Sequence, residues 1–286
     1  MTIFLKKTLS LSFAIITVIF TFVPESLFEK HQWISQDFLG HCKFASNLDL
    51  PSINVVISRL VCFILIWGLI SVVYILHSLL RKKIIIEGSN YAIQIEYGDI
   101  LKKDNCKRVI NFDECFTTKV GNNIEDINPS SICGQYLKTH PNLDIQRLIS
   151  ISNIKPEKSK SKFQQKTRYA SGTLIPNEDD LLMAFAKLDE KGKGRFFSRD
   201  EYLQCLERLW QEAENYYSGK DVCVPILGAG TTSFDGGCGA SFSKKELLDI
   251  MISSYKLSSH KIKAPCKLII VCGTKSKDFS INNIDK

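Results

Sequence analysis

No two of the ten cysteines stand in a Cys-x-x-Cys pair, and none shares a cluster with histidine at the spacing of a zinc module; a structural metal scaffold is therefore not expected. Glycine and proline are sparse, 16 and 8 of 286 residues, which excludes collagen-like and low-complexity chains. There is no Gly-x-Gly-x-x-Gly and no Gly-Lys followed by Ser or Thr, so the dinucleotide fingerprint and the Walker phosphate loop are both missing. Basic residues are not interleaved with aromatics in a stacking pattern, and nucleic acid is not an expected partner. Between residues 60 and 80 the chain has no Asp, Glu, Lys or Arg at all.

What is present is enough apolar mass, 44% of the chain, to fill a core, so ordinary disorder is excluded. The length allows one sizeable domain plus a smaller part. The apolar residues crowd into the first 80 positions. Residues 60–80, LVCFILIWGLISVVYILHSLL, match the roughly 20 residues a helix needs to cross a bilayer. They stop at Arg81, Lys82 and Lys83, and Arg59 flanks the other end, where it can snorkel to headgroups. A weaker apolar run, residues 8–23, follows Lys6 and Lys7. A signal peptide is its rival, but Pro24-Glu25-Ser26-Leu27 offers no small-x-small cleavage site, so a helix over about 8–28 is expected. The basic residues beside the two runs predict both termini on the cytoplasmic side of a membrane, with two passes and a short outer connector. The expected division is a membrane region, 1–83, and a cytosolic domain, 84–286.

Cys42 alone falls on the outer side, where it can cross-link a dimer; the other thiols outside the apolar runs read as small buried residues. Residues 155–168, KPEKSKSKFQQKTR, hold six basic residues and one acid, a solvated loop or a contact for acidic headgroups. Residues 189–201 have the outline of a calcium loop, but Lys191 and Lys193 occupy positions that need oxygen donors; a turn and a helix capped at Ser198 account for the same letters.

In the domain, strands are predicted at 84–87, 91–97, 108–112, 148–154, 170–175, 222–227 and 267–272. Helices are predicted at 130–139, 178–188, 198–217 and 243–255, the last opened by a capping box, Ser243 with Glu246. Alternating strands and helices define an α/β class with a mixed central sheet.

Two loops carry the chemistry. Leu227-Gly228-Ala229-Gly230-Thr231-Thr232-Ser233 follows a buried strand, and its backbone N–H groups and hydroxyls suit a pyrophosphate. Gly98-Asp99-Ile100 lies at a strand end, where ligands of open α/β sheets bind; an Asp there can accept a hydrogen bond from the exocyclic amine of a base. Their order and spacing, with Val109-Ile110-Asn111-Phe112 between them, resemble the macro domain over roughly residues 84–275. That resemblance implies a three-layer fold that binds ADP-ribose and its relatives. Asp99 would hold the adenine amino group and Ile100 its backbone contact. Asn111 would stand at the start of the family's Val-Asn-Ala-Ala-Asn stretch, and Gly228 to Ser233 would wrap the diphosphate and distal ribose. After Asn111 the chain runs Phe112-Asp113-Glu114-Cys115, where active relatives place a hydrolytic Asn.

The whole layout, with Leu-Gly-Ala-Gly-Thr-Thr and Tyr169-Ala-Ser-Gly-Thr-Leu-Ile-Pro176, resembles the membrane effector of type II Thoeris antiviral systems. The resemblance implies a non-catalytic effector without cofactor or metal. Its ligand would be an ADP-ribose derivative, histidine-ADP-ribose, made from NAD by a partner TIR-domain protein. It would act as a homo-oligomer on the lipid bilayer, disrupting the inner membrane in abortive infection. The alternative is a membrane-anchored ADP-ribose-adduct hydrolase using Asp113 or Glu114. A third reading is a passive scaffold that holds a partner through residues 155–168.

Overall fold

The structure is a computed structural model that describes residues 2–24, 26–29, 33, 50–230, 232–234, 242–273, 279–281 and 284. Two compact units divide at Arg81 and Lys82.

The first unit holds α1 (Thr2–Phe22), a short α2 (Ser26–Glu29) and α3 (Leu50–Leu80). α1 and α3 pack as an antiparallel pair: the Phe13 and Phe63 rings lie 5.0 Å apart, and the Trp67 indole N–H donates to the Thr8 hydroxyl at 3.4 Å. Hydroxyls on α1 turn back onto its own carbonyls, Ser12 to Thr8 at 2.7 Å and Thr21 to Thr17 at 2.7 Å. That satisfies these hydroxyls within the helix itself. Among the described residues one helix, over Pro51–His77, is long and apolar enough to cross a membrane; the apolar part of α1, Thr8–Phe22, is shorter. Arg59 is not a flanking residue, because α3 begins at Leu50. Its guanidinium sits over the Phe20 and Phe28 rings, 5.5 and 5.8 Å from their centroids. Cys42 lies outside the described residues.

The second unit contains a nine-stranded sheet. Its strands are β1 (Lys83–Glu87), β2 (Ala92–Glu96), β3 (Cys106–Asp113), β4 (Leu174–Asn177), β5 (Asp180–Leu188), β6 (Gly194–Phe196), β7 (Asp221–Pro225), β8 (Ser233–Phe234) and β9 (Leu268–Val271). Their order is β1-β2-β9-β7-β3-β5-β6-β8, with β4 also on β5. The middle five, β2-β9-β7-β3-β5, are mutually parallel. Among the described residues, four helices cover the faces: α4 (Ile132–Thr139), α5 (Ile145–Ser152), α6 (Arg199–Tyr216) and α7 (Lys244–Leu257).

Strand pleating sorts the core into two layers. Leu181, Met183 and Phe185 of β5 join Val109 in the core shared with α6 and α7. Leu182 and Ala184 join Ile110 and Phe112 against Tyr136 and Leu137 of α4 and Ile145 and Ile149 of α5. The result is a three-layer α/β/α domain with a mixed sheet, the fold class expected.

Two predicted elements are reversed. Residues 178–188 form a strand, not a helix: almost every residue of β5 is buried. A central strand covered on both faces reads as one apolar run without alternation. The acids at the start of this segment are ion-pair partners: Asp179 accepts from Lys107 and Lys220, and Asp180 from Arg108. Residues 148–154, expected as a strand, fall mostly in helix α5. Asp144 caps it by accepting from the Arg147 N–H at 3.0 Å, and Ile145, Leu148 and Ile149 share one helical face.

Candidate functional site

Parallel strands end on one edge of the sheet, and the chain must leave each of them there. That edge carries two adjoining cavities. The first, about 430 Å³, is lined by Asn111 of β3, the turn after β7 from Pro225 to Gly230, Thr232, Lys244, the start of α4, and Val271-Cys272-Gly273 after β9. The second, about 520 Å³, lies between β3, residues 121–129 and the Leu188–Gly194 turn. Asn111, Ser131 and Thr232 border both.

The glycine turn is held from below. The Tyr202 hydroxyl donates to the Leu227 carbonyl at 3.0 Å, and the Leu227 N–H approaches the Met251 sulfur at 3.4 Å. Leu227 is thus a buried anchor, 1% exposed, and the turn rises from it. Gly228 has φ +84°, and a Cβ there would lie 2.7 Å from the Phe234 ring. Only glycine fits both demands. Gly230 is exposed, and a Cβ on it would meet nothing within 4 Å.

Three further groups face this turn. Ser131 caps α4 by accepting from the Gly134 N–H at 3.0 Å, so the positive end of that helix borders the cavity. Ser243 caps α7 in a reciprocal box with Glu246. The hydrogen bond from the Ser243 backbone holds the Glu246 carboxyl below the usual range. That cap leaves Lys244, the first residue of the helix, on the cavity wall. The Asn111 Oδ1 is buried with no hydrogen-bond partner among the described residues. A buried acceptor left open costs free energy until a donor arrives.

Asn111, Gly228, Ala229, Gly230 and Thr232 therefore come together, with Leu227 beneath them. Ser233 is drawn into β8 opposite Arg195 and does not line either cavity. Thr231 and residues 235–241 lie outside the described residues. Asp99 caps the single 3-10 turn Ile100–Lys102, accepting from the Leu101 N–H at 3.0 Å. It lines neither cavity; the neighbouring Gly98 N–H donates at 3.0 Å to the carbonyl of Gly273, which lines the first. Ile100 is 2% exposed, packed on Cys106, Cys223, Ile269 and Val271. Ser131, Lys244 and the Val271–Gly273 segment were missed by sequence reasoning, although Ser243 had been read as a cap immediately before Lys244.

Asp113 and Glu114 are engaged by the chain itself. Asp113 Oδ1 accepts from the Cys115 and Thr117 N–H groups at 2.8 and 3.1 Å. Burial pushes its carboxyl above the usual range, against those hydrogen bonds. Glu114, 1% exposed, accepts from the Ser161 hydroxyl at 2.5 Å, the Leu188 N–H at 3.1 Å and the Arg168 guanidinium at 3.3 Å. The basic segment 155–168 is thereby pinned to the sheet rather than loose. Asp189 is similarly occupied, accepting from the Lys191 and Lys193 N–H groups and from Arg195.

Three layers, a five-stranded parallel core and a glycine-rich turn leaving a central strand beside an open Asn define a macro-type domain. The family model for the macro domain of Thoeris protein ThsA matches residues 93–273, and the chain belongs to that family. It is 28% identical over 243 residues to the Thoeris protein ThsA of Bacillus amyloliquefaciens strain Y2, covering 80% of this chain and 77% of that protein. Among solved structures it resembles a mutant macrodomain of Oceanobacillus iheyensis, with 11% identity, a TM-score of 0.40, and 69% of this chain and 92% of that one covered. The DarG macrodomain of Thermus aquaticus gives 12% identity, a TM-score of 0.35, and 63% and 97% coverage.

Proposed function

We propose that this Thoeris-family chain is a membrane-anchored sensor and effector. Its macro-type domain binds an ADP-ribose derivative, histidine-ADP-ribose, that a TIR-domain partner makes from NAD. Binding shifts the population of a homo-oligomer, and the membrane region then disrupts the inner membrane, causing abortive infection. In this reading α1 and α3 both cross the bilayer, with the basic residues at Lys6 and at Arg81–Lys83 on the cytoplasmic side.

The observation that carries the reading is the pair of adjoining cavities joined at Asn111 and Thr232. They lie within the size range of small-molecule sites. A glycine turn, a helix N-terminus and Lys244 supply diphosphate-binding chemistry to one of them. The sensor reading is favoured over the hydrolase because the Asp113 and Glu114 carboxylates are already engaged by backbone and side-chain donors, so neither is free to activate water.

The test is to reconstitute the full chain in dye-loaded anionic liposomes and add histidine-ADP-ribose. Dye release with the ligand recovered intact supports the sensor. Steady conversion of the ligand supports the hydrolase, and neither release nor conversion overturns both.

A further inference from the structure

Beneath the Asp99–Lys102 turn, two thiols from neighbouring strands meet. Cys106 opens β3, Cys223 lies in β7, and their sulfurs are 2.7 Å apart. In the register of these parallel strands Cys106 is level with Asp221, so Cys223 is two residues along and on the same face. Both are buried, at 3% and 0% exposed. Closing to an S–S bond of about 2.05 Å needs the sulfurs to approach by about 0.7 Å; because the two-residue offset along neighbouring strands sets the Cα atoms about 8 Å apart, the backbones of β3 and β7 must shift as well.

The surroundings separate the two thiols chemically. A hydrogen bond from Cys223, with Arg108 and Lys103 close by, lowers Cys106 below the ordinary thiol range against the effect of burial. Cys223 is raised. Thiolate is the form that attacks a peroxide. Their cover is a single turn. Ile100 packs on both cysteines, the Arg108 guanidinium donates to the Leu101 carbonyl at 3.0 Å, and Lys103 pairs with Glu96.

We propose that Cys106 and Cys223 form a reversible oxidation site that controls the Asp99–Lys102 turn. The oxidant is a hydroperoxide. The Cys106 thiolate attacks one peroxide oxygen, forming an S–O bond as the O–O bond breaks, and the leaving oxygen departs as water after taking a proton. The Cys223 sulfur then attacks the Cys106 sulfenic sulfur and loses its proton, and the second oxygen leaves as water. Two thiols and one hydrogen peroxide become one disulfide and two waters; a cellular thiol reverses the bond by exchange. Drawing β3 and β7 together under Ile100 shifts the turn that rests on them. An effect on nucleotide affinity would rest on the function proposed above; the cross-link and the turn's response do not need that reading.

The experiment treats the purified full chain in detergent with hydrogen peroxide and no nucleotide. Non-reducing peptide mapping reads the cross-link, and hydrogen exchange reads the Leu101, Lys102 and Lys103 amides. The expected result is a Cys106–Cys223 linked peptide that dithiothreitol cleaves, with exchange at those amides changed by about tenfold. Cys106→Ala and, separately, Cys223→Ala remove both signals. Cys205, equally buried in the α6 core, reports non-specific oxidation. Absence of the linked peptide, or a linked peptide with unchanged exchange, overturns the proposal.

Discussion

Replacing Gly228 by alanine isolates what the glycine turn requires. The residue has φ +84°, and a Cβ built on it lies 2.7 Å from Phe234 Cζ and 3.1 Å from its Cε2. Carbon atoms sit comfortably at about 3.5–4.0 Å, so the ring must move by most of an ångström. It has little room, because Phe196, Tyr202 and Phe242 lie 5.8, 5.3 and 5.0 Å from its centroid. The left-handed backbone costs a non-glycine residue about 1–2 kcal/mol, and overpacking about 1–3 kcal/mol more. A total near 3 kcal/mol should appear in one of two ways. If the fold bears it, the domain's thermal midpoint falls by about 6–12 °C. If the turn yields instead, the midpoint holds and ADP-ribose affinity drops by about a hundredfold. Gly230→Ala is the comparator: its φ is outside the left-handed region and its Cβ would meet nothing within 4 Å, so stability should change by less than about 0.5 kcal/mol. The assay is thermal unfolding beside calorimetric titration. A Gly228→Ala protein matching Gly230→Ala in both would refute the reasoning.

Three further outcomes are expected. Glu114→Ala leaves the Arg168 guanidinium and the Leu188 N–H without their buried acceptor, and thermal unfolding should register a loss of about 3–5 kcal/mol; proteolysis within 155–168 should speed up as well. Asn111→Leu removes an acceptor that has no partner among the described residues, so the midpoint should hold or rise while ADP-ribose affinity falls by about tenfold, a hydrogen bond's worth. The Asp113 carboxyl is raised by burial, so as pH falls the folded protein takes up this proton before the unfolded chain does. Its contribution therefore stabilises the fold increasingly as pH drops from the folded pKa toward the unfolded value near 3.9, and is lost as pH rises; Asp113→Asn should flatten that component of a stability–pH curve.

The legible parts of the fold were those whose signals are local. The Ser243–Glu246 box and the Ser198 cap each sit within a few residues, and each stands where expected; β2 is a strand within the predicted range, 91–97. β5 was misread because its burial comes from α-helices on both faces, a fact of tertiary packing that turns a strand into an unpatterned apolar run. α5 was misread because a two-turn helix offers too few repeats to separate a period of 3.6 from one of 2. The site divides in the same way. Gly228 to Gly230 and Asn111 carried visible chemistry at strand ends. Val271–Gly273 joins them only because β9 inserts between β2 and β7, a crossover that residue spacing does not reveal. Asp113 and Glu114 looked like catalytic candidates because sequence shows a carboxylate but not the donors folded around it.

The most direct measurement is calorimetric titration of the full chain in detergent with ADP-ribose and histidine-ADP-ribose, beside Gly230→Glu. Glutamate at that exposed position should leave the fold intact and set a negative charge against the ligand's diphosphate. The account predicts saturable binding, tighter for the histidine derivative and lost in the variant, with the ligand recovered unchanged. Equal heats in wild type and variant, or no heat from either ligand, would contradict it.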